Sequence, residues 1–422
     1  MFKRKRNKKH HKILRIFFIL ILMAFIVLLY LFKNVYNNIN NTVNKMNDTN
    51  FHEERKISNL LKNRKPFNML LLGTDTGDLG RDDRGRTDTI IIATVNPQKR
   101  EVLLTSIARD TMVAIPGYQD KGFQKINAAY EFGSVKGAAR TVSEYLNVPI
   151  DAYALVNMGG LIKMIDQVGG VKVVSPLSFT FSQDTSHQTG KDMYRFTKGQ
   201  SDYEWSNNYG KTWVKKSVMN GDAALAFSRM RYTDPIGDYG RQLRQRLVLK
   251  ALLKKSVNYH TLINNQFLNS LSNNVKTNLN LKDFIIIMTQ YKVVSNNVST
   301  LYLHAKTKTF NGQDFQVSTK SDKQKVTDKI RSALGLGFAP TGNKYGGTLT
   351  DALEEQIQSS EEQINNDDNV TNSANTYADK YNDNSHSGIT LPSSQSSSSL
   401  SLNSNQDNNT LITNDVIPAT EN

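Results

Sequence analysis

Five arginines fall within one short stretch, Gly221 to Arg246 (GDAALAFSRMRYTDPIGDYGRQLRQR): Arg229, Arg231, Arg241, Arg244 and Arg246, with Asp234 and Asp238 between them. Guanidinium groups are planar and permanently charged, and they grip phosphate oxygens through two parallel hydrogen bonds. Such a cluster fits a phosphate-rich anion. A solvated basic helix is the plainer reading of any charge run. Here, however, the loop Thr233 to Gly240 carries one Pro, two Gly and two Asp, turn chemistry that a surface helix does not need. Arg241, Arg244 and Gln245 stand at i, i+3 and i+4, so they are expected to share a helix face.

A second charged stretch, residues 76–88 (TGDLGRDDRGRTD), joins two apolar runs. Asp75 and Asp88 lie at its strand boundaries, where a sheet could bring both carboxylates to one edge. Two carboxylates with open positions suit Mg²⁺ or Mn²⁺, which take further ligands from substrate phosphates. Either Asp taken alone reads more readily as a turn residue or a helix-cap-like acceptor. Arg84, Arg86 and Arg109 nearby favour a metal diphosphate, because like charges buried without counter-ions are costly. Lys125 reads as a further phosphate contact or as a surface residue at a helix start, and spacing leaves both open. Cysteine is absent and the seven histidines are scattered. Thiolate chemistry is excluded and nothing supports a Ser-His-Asp triad. The chemistry falls to Asp, Arg and Lys.

The elements that must position these residues alternate along the middle of the chain. Phe67 to Leu72 reads as a buried strand, and Thr89 to Val95 with Glu101 to Ile107 as a hairpin, which puts Arg109-Asp110 at a strand end. Ile126 to Leu146 has helical spacing broken at Gly133, predicting two short helices. A strand at Tyr153 to Val156, a helix at Gly160 to Val168 and a strand at Val171 to Val174 follow. Residues 178–218 lack a clear period and read as an extended loop or lid. Ala223 to Phe227 reads as helix, and a further helix resumes at Arg241 with Leu243, Leu247 and Ala251 on one side. A helix at Leu281 to Tyr291, a strand at Thr300 to His304 and a helix from Asp322 to Leu334 close the domain, with Asp322 suited to the helix start. The fold class is α/β, a mixed central sheet flanked by helices on both faces. The apolar faces at Leu161, Ile162, Met164 and Ile165 and at Leu243 and Leu247 read as core, or as one wall of a groove for a lipid chain.

The ends differ from the middle. The chain has 422 residues and a net charge of +15, with the basic excess in the first fifteen residues and the middle. This favours an anionic ligand without choosing among nucleic acid, phospholipid and polyanionic polymer. After a basic tail, residues 1–12, the stretch 13–32 is almost wholly apolar and reaches about 20 residues, enough to span a bilayer as a helix. Its length and the lack of small residues at its end argue against a cleaved signal peptide. The positive residues before it predict a cytoplasmic N-terminus and an extracellular remainder. Residues 33–65 read as a stalk, partly helical around Phe51 to Leu61, 66–340 as the folded domain, and 349–422, rich in Ser, Asn and acidic residues, as a disordered tail.

Seven pieces in order resemble the LytR-CpsA-Psr family of cell-envelope proteins: LLLGTDT at 70–76, GRTDT at 85–89, SIARDT at 106–111, KINAAY at 125–130, VGGV at 168–171, NGDAALAFSRMRY at 220–232 and GDYGRQLRQR at 237–246. They cover about Phe67 to Lys255. Ala108 departs from the family, which commonly has Pro there. The resemblance implies a phosphotransferase that moves a phosphate-linked glycopolymer (wall teichoic acid, capsule or similar) from a polyprenyl-diphosphate carrier to peptidoglycan. It implies metal-binding carboxylates at Asp75 and Asp88. It places diphosphate contacts at Arg86, Arg109, Arg229, Arg231 and Arg241 with Gln245, and Lys125 joins them on the bottom-up reading. Asp75, Arg86, Arg109 and Asp238 are the expected catalytic set, with Asp238 either holding an arginine or acting as base. The same residues would serve a polyprenyl-diphosphate phosphatase or pyrophosphatase with water as acceptor. A non-catalytic envelope regulator and a wall-binding scaffold are the readings from other classes. A nucleic-acid partner is not expected, because the predicted anchor places the basic domain outside and no helix-turn-helix or RNP pattern is present.

Overall fold

Part of the segment expected as a stalk is helical and packed. Residues 36–46 form α1 and Ile57–Lys62 form α2. Ile39 and Val43 are buried against Leu281, and Met46 against Phe267, Leu271 and Val275. Ile57 and Leu61 sit in a core with Phe67. The computed structural model describes residues 33, 36–47, 51, 53–74, 85–182, 187–255, 265–291 and 297–346. The expected membrane helix at 13–32, Asp75, Arg84 and the tail from 349 lie outside them. Among the described residues no helix is long and apolar enough to cross a membrane.

The apolar runs become the strands of one sheet. β1 spans Phe67–Thr74, β2 Thr87–Asn96 and β3 Glu101–Ile107, each pairing antiparallel with the next, so the expected hairpin is present. A Cβ at Gly73 would lie 2.9 Å from the Thr89 Cβ, and the register breaks between Gly73 and Thr74. A residue without a side chain lets β1 and β2 close at the end that leads to Asp75. A two-stranded ribbon, β4 Met112–Ala114 and β5 Phe123–Lys125, then leads into α3, Ala128–Leu146. Ser134 has φ 59°, so α3 is two helical pieces meeting one residue after the Gly133 break expected from sequence. β6 Ala152–Asn157 lies parallel to β1, and α4, Met158–Gln167, follows it.

Two expectations fail here. Val171 to Val174 is not a strand; Val171 makes only an isolated bridge to Met219, while Val174 is half exposed. Residues 178–218 are not a lid without structure. They hold a second, antiparallel sheet of β7 Phe179–Ser182, β8 Met193–Phe196, β9 Tyr203–Ser206 and β10 Val214–Lys216, in the order β10-β9-β8-β7. Its strands are only three or four residues long, but their aromatic side chains point one way. Phe179, Phe196 and Tyr203 close a core with Phe227.

That core rests on α5, Gly221–Arg229, and on α6, Asp238–Lys254. Past a helix at Asn265–Leu271 the chain adds β11 Val275–Thr277, a helix at Leu281–Gln290, β12 Val298–Tyr302, a hairpin of β13 Lys306–Phe310 and β14 Gln313–Val317, and the last helix, Lys320–Leu334. Thr319 caps the last helix by accepting from the Asp322 backbone N–H, which places Asp322 in its first turn as expected.

The main sheet has the order β11-β6-β1-β2-β3-β12 and is mixed, since β1–β6 and β3–β12 pair parallel and the other neighbours antiparallel. Side chains alternate between its faces. Leu70, Leu72, Ile90, Ile92, Leu103 and Ile107 pack under α3 and the last helix. Ile91, Ala93, Val102 and Leu104 pack under α2, α6 and the helix Leu281–Gln290. α6 lies between two cores, giving Leu247 and Ala251 to the second-sheet core and Leu249 and Leu253 to the main sheet. Leu161 and Ile165 likewise pack into core.

Candidate active site

Three connections converge on Arg109, two residues past the end of β3. Its Nη1 lies 2.7 Å from Asp88 Oδ1, and its Nε lies 3.6 Å from Asp110 Oδ2 and 3.8 Å from Asp238 Oδ1. Asp88 is the second residue of β2 and Asp238 the first of α6, so the sheet edge and one helix start meet at this guanidinium. Arg241, one turn into α6, lies 2.6 Å from Asp238 and 3.9 Å from Asp88. Lys125, at the end of β5, reaches Asp110 at 3.0 Å. Gln242 donates to Asp238 Oδ2 at 2.9 Å.

Three cations and three carboxylates thus form one network at a half-buried surface. Burial disfavours the Arg109 charge, but Asp88, Asp238 and Asp110 outweigh it and raise its pKa above the ordinary arginine value. Burial lowers that of Arg241; Asp238 opposes the shift and the charges of Arg109 and Arg231 add to it. That repulsion places Arg231 close enough to act on the same cluster. The Nε atoms of Arg109 and Arg241 are both buried and without a hydrogen-bond acceptor among the described residues. Such donors are costly unless something accepts from them. The network therefore has room in its bonding for an oxyanion.

The other sequence candidates are placed differently. Arg86 pairs with Glu131 of α3 at 2.7 Å in an exposed ion pair. Arg229 ends α5, and Gln245 is half-buried one turn after Arg241. Asp75 follows β1 directly but lies outside the described residues. Arg244 does not share the Arg241 face toward the network. Its side chain is wholly buried, paired with Asp234, and donates to the backbone carbonyls of Phe227, at 2.9 Å, and Met230. It fixes the reversal between α5 and α6. A Cβ at Gly240 would overlap the Asp234 carboxylate at 1.8 Å, so any larger residue there would have to push Asp234 away from Arg244. Asp110 and Gln242 were not singled out from sequence. Their signals were adjacency to Arg109 and a one-turn spacing from Asp238.

Carboxylate oxygens are the donors that Mg²⁺ and Mn²⁺ prefer. Among the described residues no group of three or more His, Cys, Asp or Glu is arranged to hold a metal. Asp88 alone of the expected pair is described. Its Oδ2 stands 3.9 Å from the nearest Arg241 nitrogen, loosely enough to turn toward a cation. Asp88 is a donor of the kind those cations take.

A profile of the LytR_cpsA_psr family matches residues 31–332. Over 327 residues the chain is 36% identical to the polyisoprenyl-teichoic acid–peptidoglycan teichoic acid transferase TagU of Enterococcus faecalis, covering 77% of this chain and 98% of that protein. The crystal structure of protein gbs0355 from Streptococcus agalactiae matches with a TM-score of 0.58 at 27% identity, over 72% of this chain and 98% of that one. A structure of TagT bound to LIIa-WTA matches with a TM-score of 0.50 at 25% identity, over 65% and 92% of the two chains. Motif order, the sheet that carries the motifs and these likenesses agree, and the chain belongs to the LytR-CpsA-Psr family.

Proposed function

We propose that this protein is a phosphotransferase of the outer cell envelope. It moves a phosphate-linked glycopolymer of the teichoic acid kind from a polyprenyl-diphosphate carrier to peptidoglycan, held to the membrane by residues 13–32 with its folded domain outside. The observation that carries the reading is the pair of buried guanidinium Nε donors, on Arg109 and Arg241, without acceptors among the described residues and inside a ring of displaceable carboxylates.

On this reading the donor diphosphate takes over the bond that Asp88 now makes to Arg109 Nη1, accepts from Arg109 Nε, and draws in Lys125 and Arg231. Asp238 gives one oxygen to Arg241 and the other to Gln242, so it orients that arginine. A hydroxyl oxygen of the acceptor glycan bonds to the phosphorus carrying the polymer, the bridging P–O bond breaks, and polyprenyl phosphate leaves. A carboxylate of the ring takes the hydroxyl proton. The arginines oppose the charge that builds on the equatorial oxygens. Mg²⁺ or Mn²⁺, held by Asp88 with Asp75, would add positive charge at those oxygens.

The test incubates the chain with a polyprenyl-diphosphate disaccharide, Mg²⁺ and unmodified peptidoglycan oligomers, and seeks a phosphodiester-linked product by mass spectrometry. Product from wild type but not from Arg109→Ala or Asp88→Ala supports the transferase. Cleavage of the lipid with no linked product would make the enzyme a hydrolase and overturn it.

A further inference from the structure

A further buried cation lies away from the network. Lys323, in the last helix, has no exposed surface. Its environment shifts its pKa through burial alone, with no carboxylate contributing. A buried amine needs its N–H bonds accepted and, while protonated, its charge answered. Lys323 Nζ donates to the backbone carbonyls of Gly342, at 3.1 Å, Asn343, and Lys344, at 3.3 Å, and lies 3.9 Å from the centre of the Tyr145 ring. All three acceptors belong to one strap, residues 341–346, that crosses the molecule after the last helix.

The strap is fixed along its length. Thr341 donates its N–H to Gln324 and accepts from the Thr327 hydroxyl. A Cβ at Gly342 would lie 1.8 Å from the Glu144 carbonyl, so the strap lies flush on the end of α3. Its far end meets the β4–β5 ribbon. The Tyr345 carbonyl accepts from the Ala114 N–H at 2.9 Å, and the Tyr345 ring stands 4.7 Å from that of Phe123. Phe123 opens β5 and Lys125 closes it, with Nζ 3.0 Å from Asp110. An unbroken path of contacts therefore runs from Lys323 through the strap and ribbon to the Arg109 network.

We propose that Lys323 is a positioning residue of the anion site: by gripping the strap it braces the β4–β5 ribbon and holds Lys125 and Asp110 in register with Arg109. The proposal rests on the reading of that network as a diphosphate site. A ribbon of two three-residue strands has little stability of its own, so its placement depends on what packs against it. Lys323 touches neither substrate nor reacting atoms and acts through Lys125.

The test measures binding of inorganic pyrophosphate to the full chain by calorimetry in a double-mutant cycle. Lys323→Met and Tyr345→Ala are each expected to weaken binding about threefold to tenfold, and to add nothing further in a Lys125→Ala background, because the coupled residues act as one unit. Tyr345→Ala leaves the Lys323 grip in place, so it tests the same link should Lys323→Met fail to fold. Losses that add fully to Lys125→Ala, or a lowered melting temperature with unchanged pyrophosphate binding, would overturn the proposal and leave Lys323 a purely structural residue. Arg109→Ala separates the two levels. Unchanged pyrophosphate binding in that variant sinks the diphosphate reading itself, whereas loss there without loss in Lys323→Met sinks only the role of Lys323.

Discussion

Arg241 and Arg244 stand one turn apart on α6 and serve different ends. Arg244 spends all three of its nitrogens on its own fold, on Asp234 and on the carbonyls of Phe227 and Met230. Arg241 faces Asp88 and Asp238, and its Nε has no acceptor among the described residues. Both are buried, and burial lowers the pKa of both. Burial and charge therefore do not tell a binding arginine from a structural one. The distinction lies in whether the donors are already used. A guanidinium with backbone carbonyls for partners cannot release them without unfolding a turn, while one held by carboxylates can exchange them for phosphate oxygens.

The comparison breaks most sharply under substitution. Arg244→Ala leaves Asp234 buried without its counter-ion and two carbonyls without donors, and should lower stability by about 3–5 kcal/mol in chemical denaturation. Arg241→Ala should leave the melting temperature nearly unchanged and reduce turnover about a hundredfold or more, the scale of losing one donor to transition-state charge. Loss of fold in Arg241→Ala, with Arg244→Ala stable but inactive, would reverse the assignment of the two residues.

Sequence pattern reached the main sheet because its strands alternate and its hairpin carries a recognisable turn at residues 96–99. It missed the second sheet for a reason of scale. FTFS, MYRF and YEWS do alternate, but runs of four residues are too short to separate from a loop. Val171 to Val174 misled in the opposite direction: an apolar run with Lys172 inside it pairs at one residue only. At the site, Arg109, Arg241 and Asp88, which the fold brings into one network, were legible because their types and spacing carry chemistry. The burial of Arg244 was not, because its partners are backbone carbonyls set by the α5–α6 reversal, and carbonyls have no sequence signature. Lys323 was passed over for the same reason.

Lys323 extends the comparison to a cation with carbonyl partners only, and pH reads it out. Burial pulls its pKa from the ordinary 10.5 to about 7. Between about pH 7 and 10 the unfolded chain then holds a proton that the folded chain has released, so stability should rise with pH across that window, by at most about 1.4 kcal/mol per unit. The three carbonyls favour the charged form and make the slope shallower. Lys323→Met should remove this rise, as measured by denaturation at a series of pH values. An unchanged slope in that variant would assign the rise to other groups.

The smallest effect belongs to the ion pair that stands apart from the network. Arg86 and Glu131 are about half and two-fifths exposed, at 51% and 39%, and such pairs contribute roughly 0–1 kcal/mol. Glu131→Gln should therefore leave the melting temperature where it is. Its interest lies in the donor substrate. If Arg86 leaves Glu131 to meet the diphosphate, removing the competing carboxylate lowers KM about twofold, equivalent to a few tenths of a kcal/mol, without changing kcat. A rise in KM instead would mean that Glu131 holds Arg86 in place for the substrate, as Asp238 holds Arg241, and would move this exposed pair to the binding side of the comparison.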